Sequence, residues 1–100
     1  MDFTQNTAIS IANNGTYDLA AGSGLLVLGE SAGQVMGLLF LAIGIVTVVT
    51  NATSNITNAF GTASKLNVFY NAGTTSYRIE NKTGATVNLY LSMQRVRAAN

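Results

Sequence analysis

Between Glu30 and Lys65 the chain carries no charged side chain, and residues 35–49 within that gap form an apolar run broken only by Gly37, Gly44 and Thr47. How this run is buried decides the fold. As a helix it would be about 22 Å long at about 1.5 Å per residue, short of a hydrocarbon core of about 30 Å. Lengthening it brings in Ser31 and Gln34 on one side and Thr50, Asn51, Thr53 and Ser54 on the other, with no Lys, Arg or Trp to anchor either end. Ile43, Ile45, Val46, Thr47, Val48 and Val49 instead make a β-branched cluster that favours strand, with Gly44 as a bend between two strands. β-branched residues and Gly also occur in membrane helices, so the flanking sequence decides between a span and paired strands.

Those flanks alternate with period two between Asn/Gly/Thr turn clusters, as in an all-β sandwich or barrel. Ile9 and Ile11 share one face, Asn13-Asn14-Gly15 turns the chain with Gly15 free to take positive φ, and Tyr17 and Leu19 continue the apolar face. A three-residue loop there pairs Ile11 with Tyr17 and Ile9 with Leu19. Residues 20–24 make a small-residue corner and 25–28 a short apolar strand. Strands over 34–43 and 45–50 follow, then a long polar loop over 51–64 with Ile56 and Phe60 as anchors into the core. Leu66, Val68 and Tyr70 alternate next, and Asn71-Ala72-Gly73 turns into Tyr77 and Ile79, with Arg78 and Glu80 opposite. After Asn81-Lys82-Thr83-Gly84, the residues Val87, Leu89, Leu91 and Met93 alternate with Asn88, Tyr90, Ser92 and Gln94. Pairing Ile79 with Val87 and Tyr77 with Leu89 keeps apolar residues together. The expectation is one domain over residues 1–100, an antiparallel β-sandwich or jelly-roll-like fold of about eight strands with no transmembrane helix.

Chemistry has few tools in this composition. There is no Cys, His or Trp, and Asp2, Asp18, Glu30 and Glu80 are too widely spaced to read as a motif. Gly22-Ser23-Gly24 matches neither a nucleophile elbow nor a phosphate loop, and reads as a tight corner. No catalytic, cofactor-binding or metal-ligating residues are assigned, and an enzyme is the least favoured class. The start of the chain shows no secretory signal and reads as mature, so the Asn-x-Ser/Thr sequons at Asn14, Asn51, Asn55 and Asn81 are assigned no glycans. Tyr17, Tyr70 and Tyr77 fall on inward faces and read as core filling with a hydroxyl at the rim, with Tyr90 the exception.

A net charge of +1 is too small to draw the chain to nucleic acid or to an anionic membrane. The five basic residues, Lys65, Arg78, Lys82, Arg95 and Arg97, all follow the uncharged gap. Arg78, Lys82, Arg95 and Arg97 are the candidate contacts to a partner. In the apolar strand both faces want burial: Val35, Leu39, Leu41 and Ile43 on one side, Met36, Leu38, Phe40 and Ala42 on the other. A sandwich buries one face of each sheet, so the second must meet a crossing loop such as 51–64 or another copy of the chain. Met36, Leu38, Phe40 and Phe69 are therefore the expected oligomer interface.

The phrases Gly15-Thr16-Tyr17-Asp18-Leu19-Ala20-Ala21-Gly22-Ser23-Gly24-Leu25-Leu26-Val27, Gly61-Thr62-Ala63-Ser64-Lys65-Leu66-Asn67-Val68-Phe69-Tyr70 and Tyr77-Arg78-Ile79-Glu80-Asn81-Lys82-Thr83-Gly84-Ala85 resemble small β-sandwich modules of bacteriophage virions. These are capsid decoration or cement proteins and the tips of head or tail fibres, and the similarity spans most of the chain. It implies a structural role in the virion, commonly as a homotrimer, and supplies no catalytic residues. The leading expectation is a decoration or cement protein that binds the major capsid protein or another virion protein. A fibre-tip adhesin for a host surface is the alternative, and a small integral membrane protein the third.

Overall fold

The computed structural model describes residues 4–20, 23–30, 35–42 and 44–97, and within them every regular element is a strand. In chain order these are β1 (Thr4–Ile11), β2 (Thr16–Ala20), β3 (Ser23–Glu30), β4 (Val35–Ala42), β5 (Ile45–Asn51), β6 (Ile56–Thr57), β7 (Leu66–Asn71), β8 (Ser76–Asn81) and β9 (Val87–Arg97). Two sheets form, β1-β9-β3-β4-β5 and β2-β8-β7-β6. Their inner faces interdigitate as a β-sandwich, with Leu26, Leu28, Leu39, Leu41, Leu89, Leu91 and Met93 from the first sheet meeting Leu66, Val68, Tyr77 and Ile79 from the second. Among the described residues no helix is long and apolar enough to cross a membrane.

The expected alternation holds, but two expected hairpins do not form. β1 and β2 lie in different sheets: Ile11 pairs with Val87 and Ile9 with Leu89, while Tyr17 pairs with Ile79 and Leu19 with Tyr77. β8 and β9 are likewise in different sheets, so Ile79 and Tyr77 face Val87 and Leu89 across the core instead of beside them. Crossing over in this way at both ends of the chain is the jelly-roll-like element of the fold. The middle departs from it, because β3, β4 and β5 follow one another within a single sheet. β6, the one strand beyond the expected eight, is two residues long and runs parallel to β7, so the second sheet is mixed.

Asn81 fastens the first crossover. Its buried Nδ2 donates to Ile11 O at 2.9 Å and Ala85 O at 2.8 Å, and its Oδ1 accepts from Thr83 N at 2.9 Å and Thr83 Oγ1 at 2.7 Å. Its main chain pairs with Asn14 N and Gly15 O. The positive φ expected at Gly15 belongs to Asn14, at 67°. Gly15 is required for space, since a Cβ there would lie 2.9 Å from Ala12 O.

The β4–β5 bend falls at Gly44, with φ 74°, as its position in the apolar run implies. The buried Tyr77 ring reaches it from the other sheet, where the hydroxyl accepts Gly44 N–H at 3.1 Å. Tyr70 packs edge-to-face on Tyr77 at 5.3 Å. Gly37 admits the anchor Ile56: a Cβ there would come within 2.6 Å of Ile56 Cδ1 and 2.8 Å of Thr50 O. The backbone oxygen cannot yield as a side chain can. Gly37→Ala is expected to destabilise by about 1–3 kcal/mol, read as a lower urea midpoint with an unchanged slope.

Candidate interaction surface

The outer face of the five-stranded sheet has an apolar centre and polar flanks. Across it, register places Gln94, Leu25, Phe40 and Thr47 in one row and Ser92, Val27, Leu38 and Thr50 in the next. Phe40 is 47% exposed, Ile45 64%, Val49 46% and Tyr90 53%, and no described side chain on this face is charged. Tyr90 stands opposite Gly29, where the neighbouring strand offers bare backbone. Apolar centre and polar rim is the distribution of an interface, whereas a solvated sheet face alternates with charge.

Of the four expected interface residues, Leu38 and Phe40 lie here. Met36 does not: it is 4% exposed and belongs to the core. The cause is a β-bulge, because Gly37 pairs with Leu28 and Val35 with Gly29, leaving Met36 as an extra residue that breaks the period-two pattern. Phe69 sits on the outer face of the four-stranded sheet, on the opposite side of the sandwich. There Phe60 meets it edge-to-face at 5.2 Å, so Phe60, 73% exposed, is an outer cover and not the expected core anchor. Leu25 and Val27 join the surface without having been singled out in the sequence. Their even spacing against the buried Leu26 and Leu28 is the signal that marks them.

The crossing loop over 51–64 reaches β4 through Ala52 N–H to Met36 O at 2.8 Å and through Ile56 at Gly37, but its later turns lie over the second sheet and not over the outer face of β4. Buried Glu80 and Asn67 sit beneath it: Glu80 Oε1 accepts from Gly61 N at 2.9 Å and from Asn67 Nδ2 at 3.0 Å, and Asn67 Nδ2 also donates to Thr62 O at 3.0 Å. These polar side chains, with Glu80 on the face opposite Tyr77 and Ile79 as expected, tie the loop to the sheet. The β4 face is left uncovered by any described segment.

The four candidate basic contacts do not form one patch. Arg78 lies on the outer face of the four-stranded sheet, in a two-point contact with Asp18: Nε to Oδ1 at 2.7 Å and Nη2 to Oδ2 at 3.1 Å. Lys82 donates to Asn14 Oδ1 at 3.2 Å, at the end of the sandwich where β9 begins. Arg95 and Arg97 occupy the far end of β9, about 30 Å away at about 3.3 Å per residue. No family model, no curated protein and no solved structure matches this chain. Its surface is therefore read from its own geometry.

The Arg78 guanidinium hydrogen-bonds Asp18 and holds that carboxyl below the usual carboxylate range. A depressed folded value stabilises the fold above the unfolded value of about 3.9, and the contribution is lost as pH falls through the lower folded value. Because the pair is exposed, the loss in Asp18→Asn is expected to be small at neutral pH. Denaturation curves of the two proteins should keep a constant separation from pH 7 to about pH 4 and converge below it; a separation that grows on acidification contradicts this.

Proposed function

We propose that the chain is a structural module of a virion surface, a capsid decoration or cement protein that acts as a homo-oligomer. The observation that carries the reading is the uncharged apolar centre of the five-stranded sheet, Leu25, Val27, Leu38 and Phe40, bounded by Thr47, Thr50, Ser92 and Gln94. Further copies of the same chain are its occupant. A face without charge meets its own kind with no like-charge repulsion, and the resemblance to virion β-sandwich modules points the same way. Five strands about 4.8 Å apart and about seven residues long offer roughly 450 Å². Turned toward a threefold axis, each copy divides that area between its two neighbours, and the three copies together remove about 1,350 Å² from water.

Such a protein works by adhesion. Each copy in an oligomer adds a contact to the shell at high effective concentration, so several weak contacts bind tightly together. Binding only the assembled shell then stabilises it by mass action, with no reaction. Three copies around an axis is the state that the resemblance implies. Light scattering is expected to give about three times the chain mass of 10.4 kDa. A single-chain mass at the highest soluble concentration overturns the oligomer, and a stable oligomer that never sediments with particles overturns the decoration role.

A further inference from the structure

At the end of the sandwich where β9 begins, the sheets part to leave a cleft of about 330 Å³, lined among others by Glu30, Met36, Asn55, Leu66, Val87 and Leu89. Its floor is apolar, with Met36, Leu66 and Leu89 buried. Its rim is polar, and among the described residues none hydrogen-bonds the side chains of Glu30, Asn55 or Thr86. Glu30 supplies the only formal charge in the lining, and no described Lys or Arg forms an ion pair with it. An apolar pocket with a few convergent polar groups is the general form of a ligand site.

We propose that this cleft receives a basic side chain, Arg or Lys, of the shell protein on which the module docks. The proposal deepens the decoration reading and rests on it for the source of the side chain. The two parts of the cleft match the two parts of such a residue. An aliphatic stem covers Met36, Val87 and Leu89 while its cationic head stays at the wetter rim. There Glu30 accepts a charge-assisted hydrogen bond, and the side-chain carbonyl of Asn55 accepts a remaining N–H group. A guanidinium fits this better than an ammonium, because its planar fork presents several donors to separate acceptors. An acidic ligand would meet the Glu30 carboxylate, and a wholly apolar one would leave the rim groups without partners.

The test is an NMR titration of the intact chain with Nα-acetyl-arginine methylamide, following the Met36 methyl and the Asn88 and Leu89 amides. Saturable shifts confined to the cleft are expected. Binding should weaken at least tenfold for the citrulline analogue, which replaces the guanidinium with a neutral urea, and at least tenfold in Glu30→Gln. Free arginine, whose α-carboxylate approaches Glu30, should bind no tighter than the capped form. Absence of cleft shifts, equal binding of the citrulline analogue, or unchanged binding by Glu30→Gln overturns the site. Tighter binding of free arginine overturns the protein side chain as its source. The titration reads one domain whatever its assembly, so a monomer that binds the capped arginine refutes the oligomer and not the cleft. An oligomer whose cleft stays silent does the reverse.

Discussion

Leu89→Asp is expected to unfold the domain, and Phe40→Asp to leave it folded while dissociating the oligomer. Leu89 is buried on β9, the strand between β1 and β3 in the five-stranded sheet. Losing its burial removes about 2–3 kcal/mol, and a carboxyl in its place costs several kcal/mol more, ionised or not. The sum is comparable to a whole domain stability of about 5–15 kcal/mol. Phe40, half exposed on the outer face, contributes little to one domain. In the oligomer, however, each copy would bring a carboxylate into a drying contact, where an unpaired charge costs about 3–5 kcal/mol. Far-ultraviolet circular dichroism should show a β spectrum for Phe40→Asp and its loss for Leu89→Asp, with light scattering giving a single-chain mass for the former. A Phe40→Asp protein of unchanged mass rules this face out as the interface.

The second large effect is expected at Asn81. Leucine has nearly the same shape but neither donates to Ile11 O and Ala85 O nor accepts from Thr83. Each buried group left without its partner costs about 1–3 kcal/mol, so Asn81→Leu should lose about 3–5 kcal/mol. Asn81→Asp separates the contributions: it keeps the acceptor for Thr83 but sets a carboxylate against two carbonyl oxygens. It should be at least as unstable as Asn81→Leu at neutral pH, and should recover in part on acidification as the carboxyl gains a proton to donate. Urea unfolding across pH measures both variants. A loss below about 1 kcal/mol for Asn81→Leu would mean that the crossover holds without it.

The inward and outward faces of the strands were largely legible in the residues, and their partners were not. Ile9, Ile11, Tyr17 and Leu19 point inward whether β1 and β2 lie side by side or face each other across the core. Period two alone cannot distinguish those arrangements. The bend at Gly44 was legible because a glycine, which adopts positive φ at no cost, stands there against the β-branched cluster that follows, whereas Gly37 lies within a strand. Met36 was misplaced because a bulge leaves no mark in the alternation before it. Alternation puts Glu80 and Asn67 on the face away from the core, and the hydrogen bonds that bury them there come from a loop without any periodicity. For the candidate interface, Leu38 and Phe40 were recoverable from the apolar strand. Phe69 was not separable from them until the two sheets had been assigned. The cleft at Glu30 draws on segments from Glu30 to Leu89 and has no local signature.

The pairing of β1 with β9 has a consequence in time. Among the described residues β1 has β9 as its only sheet neighbour, and the two are separated by nearly the whole chain. Whatever hairpins form early in the middle, the first sheet stays incomplete until Val87–Arg97 has been synthesised and docked. Contacts this distant in sequence make folding slow. Until then β1, eight residues with no charge and no Pro, presents open backbone on both edges. In a crowded cell producing many copies, the waiting strand of one chain can pair with that of another. Yield of native protein should therefore fall with expression rate more steeply than its final stability would suggest, and a lysine on the outer face of β1, at Ser10, should restore it.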